Sequence, residues 1–132
     1  MKIAAVSEDG VNISQHFGRA PYYIVVTVEN NMIISKDKRD KLGHAQFAGE
    51  AHEEGEDPRG HGYGEESQSR HTRMASAIAD CQVLLARGMG SGAYESMKQA
   101  GIQPIVTDIQ NIDEAVKSYL TNTLVDHTEK LH

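Results

Sequence analysis

The chain has 132 residues and a formal net charge of −6, and 39% of its residues are hydrophobic and 24% charged. This length predicts one domain with an ordinary hydrophobic core. No apolar run approaches the roughly 18 residues of a membrane span, and a single cysteine, Cys81, excludes a disulfide framework. We therefore expect a cytoplasmic protein without a membrane partner, and the acidic balance disfavours nucleic acid as a partner.

The N-terminal quarter of the chain predicts three strands. Lys2–Val6 is a short apolar strand, and Tyr22–Val28 is rich in β-branched and aromatic residues. Glu29–Asn31 has turn character and leads into a further strand, Met32–Ser35. We expect the last two strands to pair as a hairpin.

Residues 38–70 differ in composition from the rest of the chain. Between Leu42 and Glu66, seven acids and one base give −6, which equals the net charge of the whole chain. The same stretch holds six glycines and few large apolar side chains, so burial cannot offset the entropy lost on ordering it. We predict a long, mobile His/Gly/acidic loop, residues 38–70, inserted in the domain.

The C-terminal half alternates between helical and strand patterns. The predicted helices are Ser69–Asp80, Ala93–Ala100 and a segment capped by Asn111 or Asp108 that ends near Leu120. The predicted strands are Gln82–Ala86 and Ile105–Thr107. The order β-ββ-α-β-α-β-α predicts an α/β fold, with a mixed five-stranded sheet flanked by helices. One domain therefore covers residues 1–120, and residues 121–132 form a weakly patterned tail.

His16 is the first candidate ligand. It lies in the connection Ser7–Arg19, which leaves the carboxyl end of the first strand, where open α/β sheets bind ligands. A neutral imidazole there can bind iron, zinc, copper or nickel, with Phe17 as a shield and Gly18 allowing close backbone approach. A lone histidine is weak evidence, however, and taken by itself this pattern favours a residue that only caps a turn or packs beside Phe17.

The second candidate is the glycine turn, Gly88–Gly92, between a buried strand and a helix. Alternate glycines allow successive N–H groups to share one concavity, and the helix start adds partial positive charge. The turn therefore suits a phosphate, a carboxylate or an anionic metal–sulfur cluster. It also meets a relaxed dinucleotide pattern with Asp108 downstream, although that fingerprint belongs in the first βα turn of a domain. A tight turn with no ligand fits the residues equally well.

The remaining motifs give weaker support for chemistry. His44, His52 and His61 in the insertion, continued by His71, could collect a divalent metal ion, but their spacings match no zinc site, which favours a solvated segment. A nucleophile elbow needs glycines two residues before and two residues after the serine, and around Ser91 those positions are Met89 and Ala93. We therefore expect no nucleophilic catalysis.

Three segments together carry a family resemblance: Ser14–Tyr23, Asp80–Tyr94 and Ala100–Pro104. In this order they resemble the dinitrogenase iron–molybdenum cofactor biosynthesis family, which includes NifX-like proteins and the C-terminal domain of NifB. The resemblance implies a ribonuclease-H-like fold without nuclease activity. It also implies a protein that is not an enzyme, and that binds iron–sulfur or iron–molybdenum cluster precursors as cargo and exchanges them with cluster-delivery or acceptor proteins.

The resemblance assigns the cluster site to the two motifs already described. The implied cofactor-binding residues are His16, Phe17, Gly18, Arg19, Gly88, Met89, Gly90, Ser91 and Gly92. The candidate metal ligands are His16, His44, His52, His61 and His71. Two alternatives stay open: an enzyme that binds a phosphorylated metabolite or nucleotide at the glycine turn, and metal buffering by the histidine-rich insertion.

Overall fold

The computed structural model describes residues 1–41 and 64–131, with residues 64–69 described by their backbone alone. The strands are β1 (Lys2–Ser7), β2 (Tyr22–Glu29), β3 (Met32–Asp40), β4 (Val83–Ala86) and β5 (Gln103–Val106). The helices are α1 (Gly64–Ser76), α2 (Ser91–Gln99) and α3 (Ile112–Leu120), followed by a 3-10 turn, Thr128–Lys130. All five predicted strands and all three predicted helices are present.

The strands form one mixed sheet in the order β3-β2-β1-β4-β5. β1 is central, antiparallel to β2 and parallel to β4, and β5 continues the parallel half. β2 and β3 form the predicted hairpin, with Asn30 and Asn31 both at positive φ as a tight two-residue turn requires. The predicted five-stranded mixed sheet flanked by helices is thereby confirmed.

The helices cover both faces of the sheet. Tyr23 of β2 donates a hydrogen bond from its hydroxyl to the Met74 carbonyl of α1 at 2.8 Å, and α2 packs beside α1. Lys36 of β3 forms an ion pair at 2.9 Å with Asp113 of α3. Arg39 of β3 donates a hydrogen bond to the Ala77 carbonyl, just after α1. Because alternate strand residues point to opposite faces of the sheet, Lys36 and Arg39 point to different faces. α3 therefore lies on the face opposite to α1.

The predicted insertion is too long at both ends. β3 continues to Asp40 and α1 begins at Gly64, so only residues 42–63 of the predicted segment 38–70 lie outside the described structure. The prediction failed at β3 because this strand is an edge strand with mostly exposed side chains, and charged residues from Lys36 onward hide its pattern. The proposed mobility of the insertion falls outside the described residues.

The C-terminal tail is packed against the domain, although its sequence showed little pattern. The Asp126 carboxylate accepts hydrogen bonds from the Tyr94 hydroxyl at 2.6 Å and from the Val106 N–H at 2.8 Å. The His127 N–H in turn donates to the Val106 carbonyl at 2.8 Å. These bonds occupy backbone groups at the outer edge of β5, an edge that a sheet must otherwise protect.

Asp80 joins three separate parts of the fold. Its carboxylate accepts two hydrogen bonds from Arg39, at 2.7 and 2.8 Å, and one from Lys2 at 3.1 Å. The paired Arg39 guanidinium, with a smaller contribution from Lys2, holds the pKa of Asp80 well below its usual range. The carboxylate thus connects β1, β3 and the segment that precedes β4.

We predict that Asp80→Asn lowers the free energy of unfolding by about 1 kcal/mol at pH 7, a modest value because the pair is half-exposed. A carboxyl with a depressed pKa stabilises the fold above its ordinary pKa of 3.8, and this contribution disappears as the pH falls further. Urea unfolding at pH 7 and pH 3 should therefore show a smaller difference from wild type at pH 3. Asp113→Asn, which removes a single exposed ion pair, is the control and should cost less than Asp80→Asn.

Candidate functional site

The connection after β1 is a tight loop held by its own side chains. The Asp9 carboxylate accepts hydrogen bonds from the N–H groups of Val11 and Asn12, both at 2.8 Å, and these bonds lower its pKa to about 2. The Ser7 hydroxyl oxygen accepts from the N–H of Gly10 at 2.8 Å, and Gly10 has a φ of 83°. The loop therefore leaves β1 in a fixed direction and returns at once to the sheet edge.

The segment 14–18 then runs beside the start of the glycine turn. The Arg87 N–H donates to the Ser14 carbonyl at 3.0 Å, and the Phe17 N–H donates to the Gly88 carbonyl at 3.0 Å. A Cβ atom on Gly88 would lie 2.4 Å from the Gln15 carbonyl oxygen, so only glycine fits there. The two motifs that carry the family resemblance are thus backbone neighbours at one end of the sheet.

The glycine turn opens directly into α2. Gly90 is the N-cap, and the Tyr94 N–H donates to its carbonyl at 3.1 Å as the first bond of the helix. No side chain in the described ranges caps this helix end. The first turn of α2, with Gly92 and Ala93, therefore brings backbone N–H groups and the positive end of the helix dipole to the neighbouring cavity.

A cavity of about 340 Å³ lies between this helix start and α1. Its walls include Phe17, Gly18, Arg70, His71, Met74 and Gly92. The His71 ring packs against Gly92, where an added Cβ would lie 3.3 Å from the His71 Cε1 atom. Burial, with help from Arg70, lowers the pKa of His71, so its imidazole is neutral at pH 7 and able to bind a metal. We call this space the glycine-turn cavity.

His16 lines a different cavity, of about 310 Å³, on the other side of the joined segments. Glu8, Ser14, Arg87 and Gln110 also border it. Ser14 is fixed there, because its hydroxyl donates to the Glu8 carboxylate at 2.7 Å and accepts from the His16 N–H at 3.0 Å. His16 therefore lies next to the segment that contacts the glycine turn, but it borders a cavity that is more polar than the glycine-turn cavity.

The predicted site residues do not all line one cavity. Phe17, Gly18, Gly90 and Gly92 line the glycine-turn cavity with His71, whereas His16 borders the neighbouring one. Three others lie apart from these walls: Met89 is buried in the core, and Arg19 and Ser91 are exposed. Gly88 is the spacer between the two motifs. His44, His52 and His61 lie outside the described residues.

Arg70 and Met74 were missed as wall residues. They lie one helical turn apart on α1. Because residues three and four apart share a helix face, the position of Met74 would have placed Arg70 and His71 beside it. Lys41 was also missed. It is buried against Phe17, although lysine is among the residues least often buried.

Within residues 1–41 and 70–131, no three His, Cys, Asp or Glu side chains are grouped closely enough to hold a metal ion. In the same part of the chain, no helix has the length and apolar character needed to cross a bilayer. Cys81 is buried, and burial raises the pKa of its thiol to about 11, so it is an inert core residue.

The sheet and the glycine-turn cavity define a small α/β domain with a cavity suited to an anion at the carboxyl edge of its strands. Residues 1–122 match the family model described as dinitrogenase iron-molybdenum cofactor, and the chain belongs to this family. The resemblance seen in the sequence is thereby confirmed. Family membership supports a role in iron–molybdenum cofactor biosynthesis.

Individual proteins are similar to the chain in sequence or in fold. The chain is 31% identical to an uncharacterized protein of Methanocaldococcus jannaschii, MJ0580, over 126 residues that cover 94% of this chain and 89% of the relative. The crystal structure of PH0822 superposes with a TM-score of 0.65 at 22% identity, covering 96% of this chain and 97% of that one. The apo form of the orange protein from Desulfovibrio gigas superposes with a TM-score of 0.64 at 20% identity, covering 93% and 89%. The two structures show a shared fold.

We predict that Gly88→Ala destabilises the protein by about 1–3 kcal/mol, because its Cβ would collide with the Gln15 carbonyl and push the two motifs apart. Gly18→Ala is the matched control, since a Cβ there meets nothing within 4 Å, and its stability should equal or slightly exceed that of wild type. Urea unfolding measures both. Equal stability of the two variants would show that Gly88 is not a required spacer.

Proposed function

We propose that this protein is a non-enzymatic carrier that binds an anionic iron–sulfur or iron–molybdenum cluster precursor in the glycine-turn cavity. The observation that carries the proposal is the convergence on one cavity of three features: the first turn of α2, the Arg70 side chain and the neutral imidazole of His71. Backbone N–H groups and a guanidinium stabilise an anion, and an imidazole binds iron.

The shape of the cavity suits cargo that is held from one side and released. Phe17 and Met74 offer an apolar and polarizable surface to a sulfide-rich cluster, and Gly18 and Gly92 leave room for close approach. Among the described walls of the cavity, His71 is the metal-ligating imidazole, and the described residues group no three His, Cys, Asp or Glu side chains. A cluster bound by few ligands can pass to an acceptor protein, as the proposed exchange with delivery and acceptor partners requires.

His71 is the ligand we favour on geometry, and His16 is the ligand that the motif implies. His71 lines the glycine-turn cavity and packs against Gly92, whereas His16 opens into the adjacent cavity. His16 directly precedes Phe17, which lines the glycine-turn cavity, so both histidines are candidate ligands at this sheet edge. The two histidines are therefore tested separately.

We predict that the protein, titrated without oxygen with a synthetic iron–sulfur cluster, gains visible absorption and that His71→Ala weakens binding by about tenfold or more. His16→Ala should have a smaller effect. His127→Ala is the control, because His127 lies in the C-terminal tail between Asp108 and Glu129, and it should bind like wild type.

The results of these titrations distinguish the candidate ligands and the candidate functions. Loss of binding in His16→Ala alone would move the ligand to the neighbouring cavity. Unchanged binding in both variants would remove His16 and His71 as ligands, and absence of binding by wild type would overturn the carrier function. A thermal shift with phosphorylated metabolites and nucleotides but not with clusters would instead support the alternative function at the glycine turn.

A further inference from the structure

Lys41 is a buried cation beside the candidate site. The residue directly follows β3 in the chain and is only 3% exposed. The ammonium group donates a hydrogen bond to the Phe17 carbonyl and lies 4.5 Å from the centroid of the Phe17 ring. Lysine is among the residues least often buried, because removing its charge from water costs several kcal/mol unless a partner compensates it.

The ion pairs between side chains of residues 1–41 and 70–131 do not include Lys41 or Arg70. Burial first, and the positive charge of Arg70 second, lower the pKa of Lys41 to about 8, which leaves it mostly charged at pH 7. The buried Lys41 and the exposed Arg70 thus place two positive charges near one cavity.

The peptide that Lys41 contacts borders this cavity. Phe17 and Gly18 both line the cavity, and the carbonyl oxygen of the peptide bond between them accepts the hydrogen bond from the Lys41 ammonium group. The N–H of the same peptide belongs to Gly18, and it has no acceptor among the described residues, whereas the Phe17 and Arg19 amides donate to Gly88 and His16. A cation on the carbonyl of a peptide polarises it and makes its N–H a stronger donor.

We propose that Lys41 is a positioning residue that fixes and polarises the Phe17–Gly18 peptide, so that the Gly18 N–H becomes a hydrogen-bond donor to an anionic ligand in the glycine-turn cavity. This inference rests on the proposed function and extends it. The site then selects its ligand by negative charge, through the Gly18 amide on one wall and Arg70 and the α2 start on the others. Lys41 acts from behind Phe17 and does not touch the ligand.

Amide NMR with inorganic phosphate as a diamagnetic anion tests this directly. In wild type, phosphate should shift the Gly18 N–H resonance, and Lys41→Met should weaken phosphate binding by about tenfold, the loss expected for a charge-assisted contact. Lys41→Arg retains the charge and should bind within about threefold of wild type. Lys38→Met is the matched control, since the Lys38 ammonium lies over the Tyr22 ring at 4.4 Å but is exposed, and it should change nothing.

A second neutral variant, Lys41→Gln, keeps a hydrogen-bond donor and replaces Lys41→Met if that protein does not fold. Phosphate binding that is equal in wild type and the neutral variant, or binding without a shift of Gly18, would overturn the inference. The same variants are titrated with a synthetic dianionic iron–sulfur cluster. Cluster binding retained by the neutral variant overturns the role of Lys41 alone, whereas a phosphate response without any cluster binding overturns only the carrier function. Failure of wild type to bind either probe overturns both.

Discussion

The functional edge of this protein depends on two backbone hydrogen bonds, from Arg87 to Ser14 and from Phe17 to Gly88, each 3.0 Å long. They join a loop that follows β1 to a turn that follows β4, although more than seventy residues separate the two in sequence. β1 and β4 are parallel neighbours, so both loops emerge at the same edge of the sheet. The bonds hold them in contact, and the absence of a side chain at Gly88 makes that contact possible.

This joined wall also divides the edge into two spaces. Side chains on one side of it, such as His16, border a polar cavity, and Phe17 and Gly18 border the cavity of the glycine turn. α1 completes the second space by presenting Arg70 and His71 from the opposite side. The loop after β1 and the start of α2 therefore supply the backbone donors, while the helix that precedes β4 supplies the side chains with charge and metal-binding capacity.

Local pattern was sufficient for the fold but not for the assembly of the site. β2, β4 and α3 were predictable because buried strands and an amphipathic helix repeat apolar residues at fixed intervals, and Asn111 caps α3 as expected. The part of β3 beyond Ser35 could not be predicted, since an exposed edge strand has no regular repeat of apolar residues. The motifs predicted that His16 and the glycine turn would lie near each other, yet which cavity each side chain enters depends on the direction of the loop after β1. That direction is set by tertiary contacts, such as the bond from Ile13 to Gln110, that no sequence interval encodes.

The candidate site has positively charged side chains, whereas the whole chain has a net negative charge. The net charge of −6 comes from residues 42–66, while the remainder of the chain is balanced. Exposed charges farther apart than about 8 Å are screened at physiological ionic strength, whereas partly buried charges are screened much less. The buried Lys41 is therefore expected to contribute more to the potential inside the cavity than exposed charges do, even though acids outnumber bases in the protein. An acidic chain can bind an anion when its few cations are placed where water is excluded, and here burial places Lys41 directly behind the peptide that borders the cavity.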